Sequence, residues 1–148
     1  MTQAGRYAAD PTLILTGPKT AVSPIGGLLT RLINKTGANS VKGTVVELDD
    51  GVDFAFDIAP VDAIDAFGIV YEDGIADGDE CWVVTYGAAD ILIEDGTAST
   101  RDNFVKVGDT TPGRALMDTA TPASQAIHFR ELGHCMESQG AGADVLAR

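Results

Sequence analysis

Between Glu47 and Thr100 there is not one lysine or arginine, although fifteen acids fall in that stretch. With a formal net charge of −12, the chain lacks the basic face that nucleic-acid binding needs to displace counterions from phosphates. Cysteine is scarce, only Cys81 and Cys135, so no disulfide framework is built here. Two thiols in a chain without an export signal read as reduced and buried. No apolar run approaches the length that spans a bilayer. The first twenty residues lack a basic stretch followed by a long apolar one, so they do not read as a secretion signal. The expectation is a soluble protein made in the cytoplasm, with neither a membrane nor a nucleic acid as partner. Also missing are a Gly-x-Ser-x-Gly elbow, a Gly-x-Gly-x-x-Gly fingerprint and a Walker-type phosphate loop. No nucleophile–base pair can be named, so no enzyme and no cofactor is expected.

What is present is an ordinary globular composition, 45% hydrophobic and 22% charged, in 148 residues. A chain of that size buries a core without disulfides or metals, as one domain. Charge is unevenly distributed. Before Glu47 stand Arg6, Lys19, Arg31, Lys35 and Lys42 against Asp10 alone. Pro11, Pro18 and Pro24 also fall there, with Gly17, Gly26 and Gly27. Prolines at that density exclude a continuous helix and disfavour central strands. Residues 1–40 are therefore read as an extended N-terminal arm, and residues 41–148 as the body. The stretch Ile25 to Ile33 is the one plausible short helix or strand in the arm. The arm's apolar pieces need a surface to cover them, either its own domain or a partner. Arg6, Leu13, Ile14, Leu15, Lys19, Ile25, Leu28, Leu29 and Arg31 are the candidate contact residues.

The body reads as β. Val41 to Leu48 ends at Asp49-Asp50-Gly51, a strong turn signal. In Val52 to Ile58 the apolar residues alternate, which predicts a strand with Val52, Phe54, Phe56 and Ile58 on one face. Further strands are predicted over Phe67–Tyr71, Cys81–Tyr86, Ala88–Ile93, Phe104–Val107, Gly113–Met117, Ile127–Met136 with a break at Gly133, and Asp144–Ala147. The best helix candidate is Ala59 to Ala66. Turn signals every eight to twelve residues predict a mainly β fold, a small barrel or sandwich with at most one or two short helices.

Three groups invite a metal reading. Asp49, Asp50 and Asp53 crowd one turn, without the spaced pattern and closing Glu of a calcium loop. Glu72, Asp73, Asp77, Asp79 and Glu80 sit on two turns, where a weak divalent site would need converging oxygens. His128, His134 and Cys135 lack the second ligand pair that zinc sites carry, and along a strand Cys135 faces away from His134. No metal site is assigned.

The body resembles a family of tailed-phage capsid decoration proteins. The likeness lies in the order of short pieces. Ser40-Val41-Lys42-Gly43-Thr44-Val45-Val46 looks like the opening strand, and Phe67-Gly68-Ile69-Val70-Tyr71-Glu72 like a later one. Asp77-Gly78-Asp79, Cys81-Trp82-Val83-Val84 and Gly87-Ala88-Ala89 are similar to its turn, Val-rich strand and corner. Val107-Gly108-Asp109, Gly113-Arg114-Ala115, Leu132 to Ser138 and Val145 to Arg148 follow in order, so about two-thirds of the chain is covered. The resemblance implies a cement protein on the capsid exterior that binds the major capsid protein of a viral shell, often as a homotrimer, with no reaction. The alternatives are another virion component, such as a head-fibre base or tail subunit, or a small metal- or ligand-binding β-barrel.

Overall fold

The computed structural model describes residues 13–118 and 124–148. Its elements are β1 (Ile14–Gly17), β2 (Thr20–Val22), β3 (Gly27–Asn34), β4 (Val45–Leu48), β5 (Ala55–Ile58), β6 (Gly68–Val70), β7 (Glu80–Gly87), β8 (Ile91–Leu92), β9 (Phe104–Val107), β10 (Ala115–Met117), α1 (Gln125–His128), β11 (Glu131–His134) and β12 (Leu146–Ala147). The protein is mainly β, as the turn spacing predicts, with one short helix among the described residues.

A small barrel lies at the centre. β3 pairs with β5 in parallel, β5 with β4, β4 with β6, β6 with β7, and β7 returns to β3, all but the first antiparallel. Its interior is filled by Leu32, Val46, Phe56, Val70, Cys81 and Val83. The residues between these on the same strands point outward and are buried too. Val45, Ile69, Trp82 and Val84 join Leu13, Ala21, Leu29, Ile93, Val105, Val107, Ala115, Cys135 and Ala147 in a second, larger core. That core lies under the β1–β2 hairpin, the three-stranded sheet β10-β9-β11 and the β8–β12 pair. Strands covered on both faces read as continuous apolar runs, which is why Cys81-Trp82-Val83-Val84 shows no alternation.

The reading of residues 1–40 as an arm is corrected over its described part. β3 is the seam that closes the barrel, flanked by β7 on one side and by β2 and β5 on the other. The prolines did not prevent this because Pro18 and Pro24 fall in turns between strands, where a missing N–H costs nothing. Nor is there a linker at residue 40. The Asn34 side chain, fully buried, donates to Ala38 O (2.8 Å) and Ile75 O (2.9 Å). Ser40 Oγ donates to Glu72 O at 2.6 Å. Residues 34–40 are thus stitched to the loop before β7, and the proposed boundary divides a single unit. Residues 1–12, Arg6 among them, lie outside the described residues.

Two further expectations change. Ala59 to Ala66 is not helical: Pro60 and Asp62, with φ 59°, turn the chain there. The helix instead opens the 127–136 segment, where Ser124 caps it by accepting from Ile127 N. The strand expected from Val52 begins at Ala55, because Phe54 sits at φ 57° and breaks the alternation.

Candidate interaction surface

The nine candidate contact residues separate into distinct groups. Leu13 and Leu29 are core, and Leu15 packs against it. Ile25 is half-buried. Lys19 and Arg31 both reach Glu80 of the same chain, Arg31 at 3.5 Å. The basic charge read as an outward-facing grip is therefore engaged internally, as are Lys35 with Asp77 (3.8 Å) and Lys42 with Asp90 (3.3 Å). Arg31 also lies over the Trp82 ring, 5.2 Å from its centroid. Lys19, Arg31, Lys35 and Lys42 thus each pair with an acid of the body.

Ile14 and Leu28 remain, 67% and 47% exposed. The strand register places them in one row. Ile14 is opposite Val22, Val22 opposite Leu28, and Leu28 opposite Tyr86, which is 77% exposed. The row crosses β1, β2, β3 and β7 on the face turned away from Ala21 and Leu29. Tyr86 belongs to it because of a register shift between Leu28 and Leu29. Leu29 is opposite Val84, so Thr85 is an extra residue on β7. That bulge lets Val84 stay in the core while Tyr86, two residues on, swings out. Strict alternation would have placed Tyr86 on the face of Trp82 and Val84, and so the sequence reading missed it. Val22 was missed for the same kind of reason: nothing in Thr20-Ala21-Val22 marks which face is covered. Beside the apolar row the same face carries Thr16, Thr20 and Thr30, with Thr16 Oγ1 and Thr20 Oγ1 3.0 Å apart. β1 is the outermost strand of this sheet among the described residues.

The acids of residues 72–80 do not converge. Glu72, buried, accepts from Trp82 N (3.1 Å), Asp73 from Lys42 N (2.6 Å) and Asp77 from Gly37 N (2.9 Å), while Glu80 holds Lys19 and Arg31. Each clamps a different piece of backbone or cation. His128 and His134 flank Glu131, at 3.1 and 3.8 Å, and both rings pack on Phe104. Cys135 turns the other way, its thiol donating to Glu137 O. Among the described residues no three His, Cys, Asp or Glu side chains are grouped to hold a metal ion. Both cysteines are free and buried, and burial pushes the Cys81 thiol up to about 12.

A hollow of about 440 Å³ lies between β6–β7 and β11, lined by Phe67, Ile69, Tyr86, Leu132, Met136 and Arg148 among others. Tyr86 stands where this hollow meets the apolar row. No family model, curated protein or solved structure matches this chain.

Proposed function

We propose that this protein is a structural accessory of a viral shell, docking on the outer surface of the capsid through the sheet face that carries Ile14, Val22, Leu28 and Tyr86. What supports the reading is that row: exposed Ile14, Leu28 and Tyr86 with half-buried Val22, in register across four strands. An apolar row flanked by hydroxyls is the composition of a docking face with a dry centre and a polar rim. The resemblance to capsid decoration proteins supplies the class of partner, the major capsid protein, and the expectation of a homotrimer without catalysis.

The docking element differs from a free arm. Removing residues 1–24 would delete β1 and β2 and strip Leu13 and Ala21 from the core, so that truncation would test folding rather than docking. The informative variant is the triple substitution Ile14→Thr, Leu28→Thr and Tyr86→Thr, which keeps β-forming residues on an exposed face. Co-sedimentation with purified empty tailed-phage shells is the measurement. Saturable binding by the unaltered protein, lost in a triple variant of unchanged circular dichroism, is expected. Undiminished binding by that variant would move docking to another surface. Absence of binding by the unaltered protein, with recovery only in the tail fraction of separated virions, would favour a tail or fibre component.

A further inference from the structure

The turn joining β4 to β5 exposes a second apolar group. Phe54 is 81% exposed, and Leu48 and Val52 are exposed beside it. Phe54 also holds φ 57°, a backbone conformation that a bulky L-residue adopts at a cost and that Asn or Gly accepts readily. Its carbonyl accepts from Ile33 N at 2.8 Å, so the strained backbone is fixed to the barrel seam while the ring projects into solvent. An aromatic ring in a disfavoured conformation, with little of the described residues covering it, contributes no stability that would explain it.

Around it the charge is one-sided. Glu47, Asp49, Asp50, Asp53, Asp57 and Asp65 make no ion pair within the described chain, and of the acids from Glu47 to Asp65 only Asp62 does, with Arg130. Partial burial, then the charges of Asp65, Asp57 and Asp50, raise the Glu47 carboxyl above its ordinary value, so these groups share one field. Of the ten lysines and arginines, Lys19, Arg31, Lys35, Lys42, Lys106, Arg114, Arg130 and Arg148 hold acids outside this group, and Arg6 lies outside the described residues. An apolar tip ringed by uncompensated carboxylates is complementary to a surface with an apolar stripe edged by lysine or arginine.

We infer that the β4–β5 tip is a docking site for a basic, amphipathic segment of a partner protein, with Phe54 as its anchor and Asp50 and Asp53 as the nearest charge contacts. This site is separate from the sheet-face row, and its test does not depend on what that row binds. The probe is a fluorescein-labelled amphipathic peptide of lysine and leucine, about fourteen residues or four helical turns long, followed by anisotropy with the full chain. Two controls accompany it, a glutamate–leucine peptide and a lysine–serine peptide of the same length. Binding by the lysine–leucine peptide is expected, weakening as salt rises from about 50 to about 500 mM. Phe54→Asn should weaken it roughly tenfold or more, in the range of an interface anchor, while the melting temperature is held or raised. Asp50→Asn with Asp53→Asn should also weaken binding, whereas Asp79→Asn with Glu137→Gln, an equal loss of charge outside this tip, should not. Equal binding of the lysine–serine peptide, or equal effects of the two charge pairs, would mean that only net charge is being read and would overturn the proposal. So would a Phe54→Asn affinity within about twofold of the unaltered protein. Should Phe54→Asn fail to fold, the two charge pairs alone decide.

Discussion

The two cores of this molecule are built from opposite faces of the same strands, yet they draw on the chain differently. The barrel interior runs from Leu32 to Val83, and every residue in it comes from a strand of the barrel. The outer core runs from Leu13 to Ala147 and needs both ends of the chain. Phe56 inside and Trp82 outside are both fully buried, but they secure different things. Phe56 holds the barrel closed on itself. Trp82 holds the barrel to the β1–β2 hairpin and the C-terminal sheets. A strand such as β7, with Cys81 and Val83 on one side and Trp82 and Val84 on the other, couples the two cores, so neither forms without committing residues of the other.

That contrast is open to measurement. The largest effect is expected at the two aromatic residues. Phe56→Ala and Trp82→Ala should each cost about 3–5 kcal/mol in denaturant titrations, as cavity-forming aromatic truncations do. Trp82→Phe should cost markedly less than Trp82→Ala, because the buried indole N–H has no hydrogen-bond partner among the described residues to lose. Equal costs for the two Trp82 variants would mean that a polar contact, not packing, ties the layers together.

Local stability should separate next. β12 is two residues long and, among the described residues, pairs with β8 alone, whereas Val83 is paired on both sides, with Val70 and Thr30. Hydrogen exchange at Leu146 and Ala147 should proceed through local opening, and that at Val83 only through global unfolding. Protection of the Ala147 amide as strong as that of Val83 would erase the distinction between a barrel that opens only globally and an outer layer that opens locally.

The thiols sharpen the same point. Cys81 lies in the barrel and Cys135 in the outer core, beside the terminal Arg148 carbonyl (3.4 Å). With its thiol held protonated near neutral pH, Cys81 should resist a thiol reagent until the whole protein unfolds. Cys135 should react earlier under mild denaturant. The reverse order, read by mass spectrometry of the labelled peptides, would invert the assignment of the stable core.

The smallest effect belongs to Glu47. A carboxyl raised in the folded state binds its proton more tightly there than when unfolded, so its ionised form lowers stability above that raised value, and the penalty disappears at lower pH. Glu47→Gln should slightly raise the melting temperature at neutral pH, with the gain fading by about pH 4, where the unfolded carboxyl also protonates. A gain that persists at low pH would trace to packing rather than to the neighbouring acids.

Much of the fold was legible because strand positions depend on local chemistry. The Asp-Gly and Gly-Asp punctuation located β4, β6, β7 and β10 within a few residues, and Phe104–Val107 is β9 at both ends. The candidate surface was legible in halves. Ile14 and Leu28 could be named from the sequence. Val22 and Tyr86 could not, since a bulge at Thr85 sets which way Tyr86 points and a bulge leaves no mark in composition. Phe54 was placed on the wrong side for a similar reason, as one left-handed residue cancels the period of two.

By itself the sequence determined a β-rich protein with buried thiols, turns at the acidic glycine pairs and too many apolar residues before Lys42 to be left in water. Only the tertiary structure decided what covers them. Covering them is a matter of pairing partners distant along the chain, β3 with β7 and Lys19 with Glu80, and such pairings depend on closure of the barrel rather than on any local preference. The same closure decided which apolar side chains were left facing outward, at the sheet face and at the β4–β5 tip.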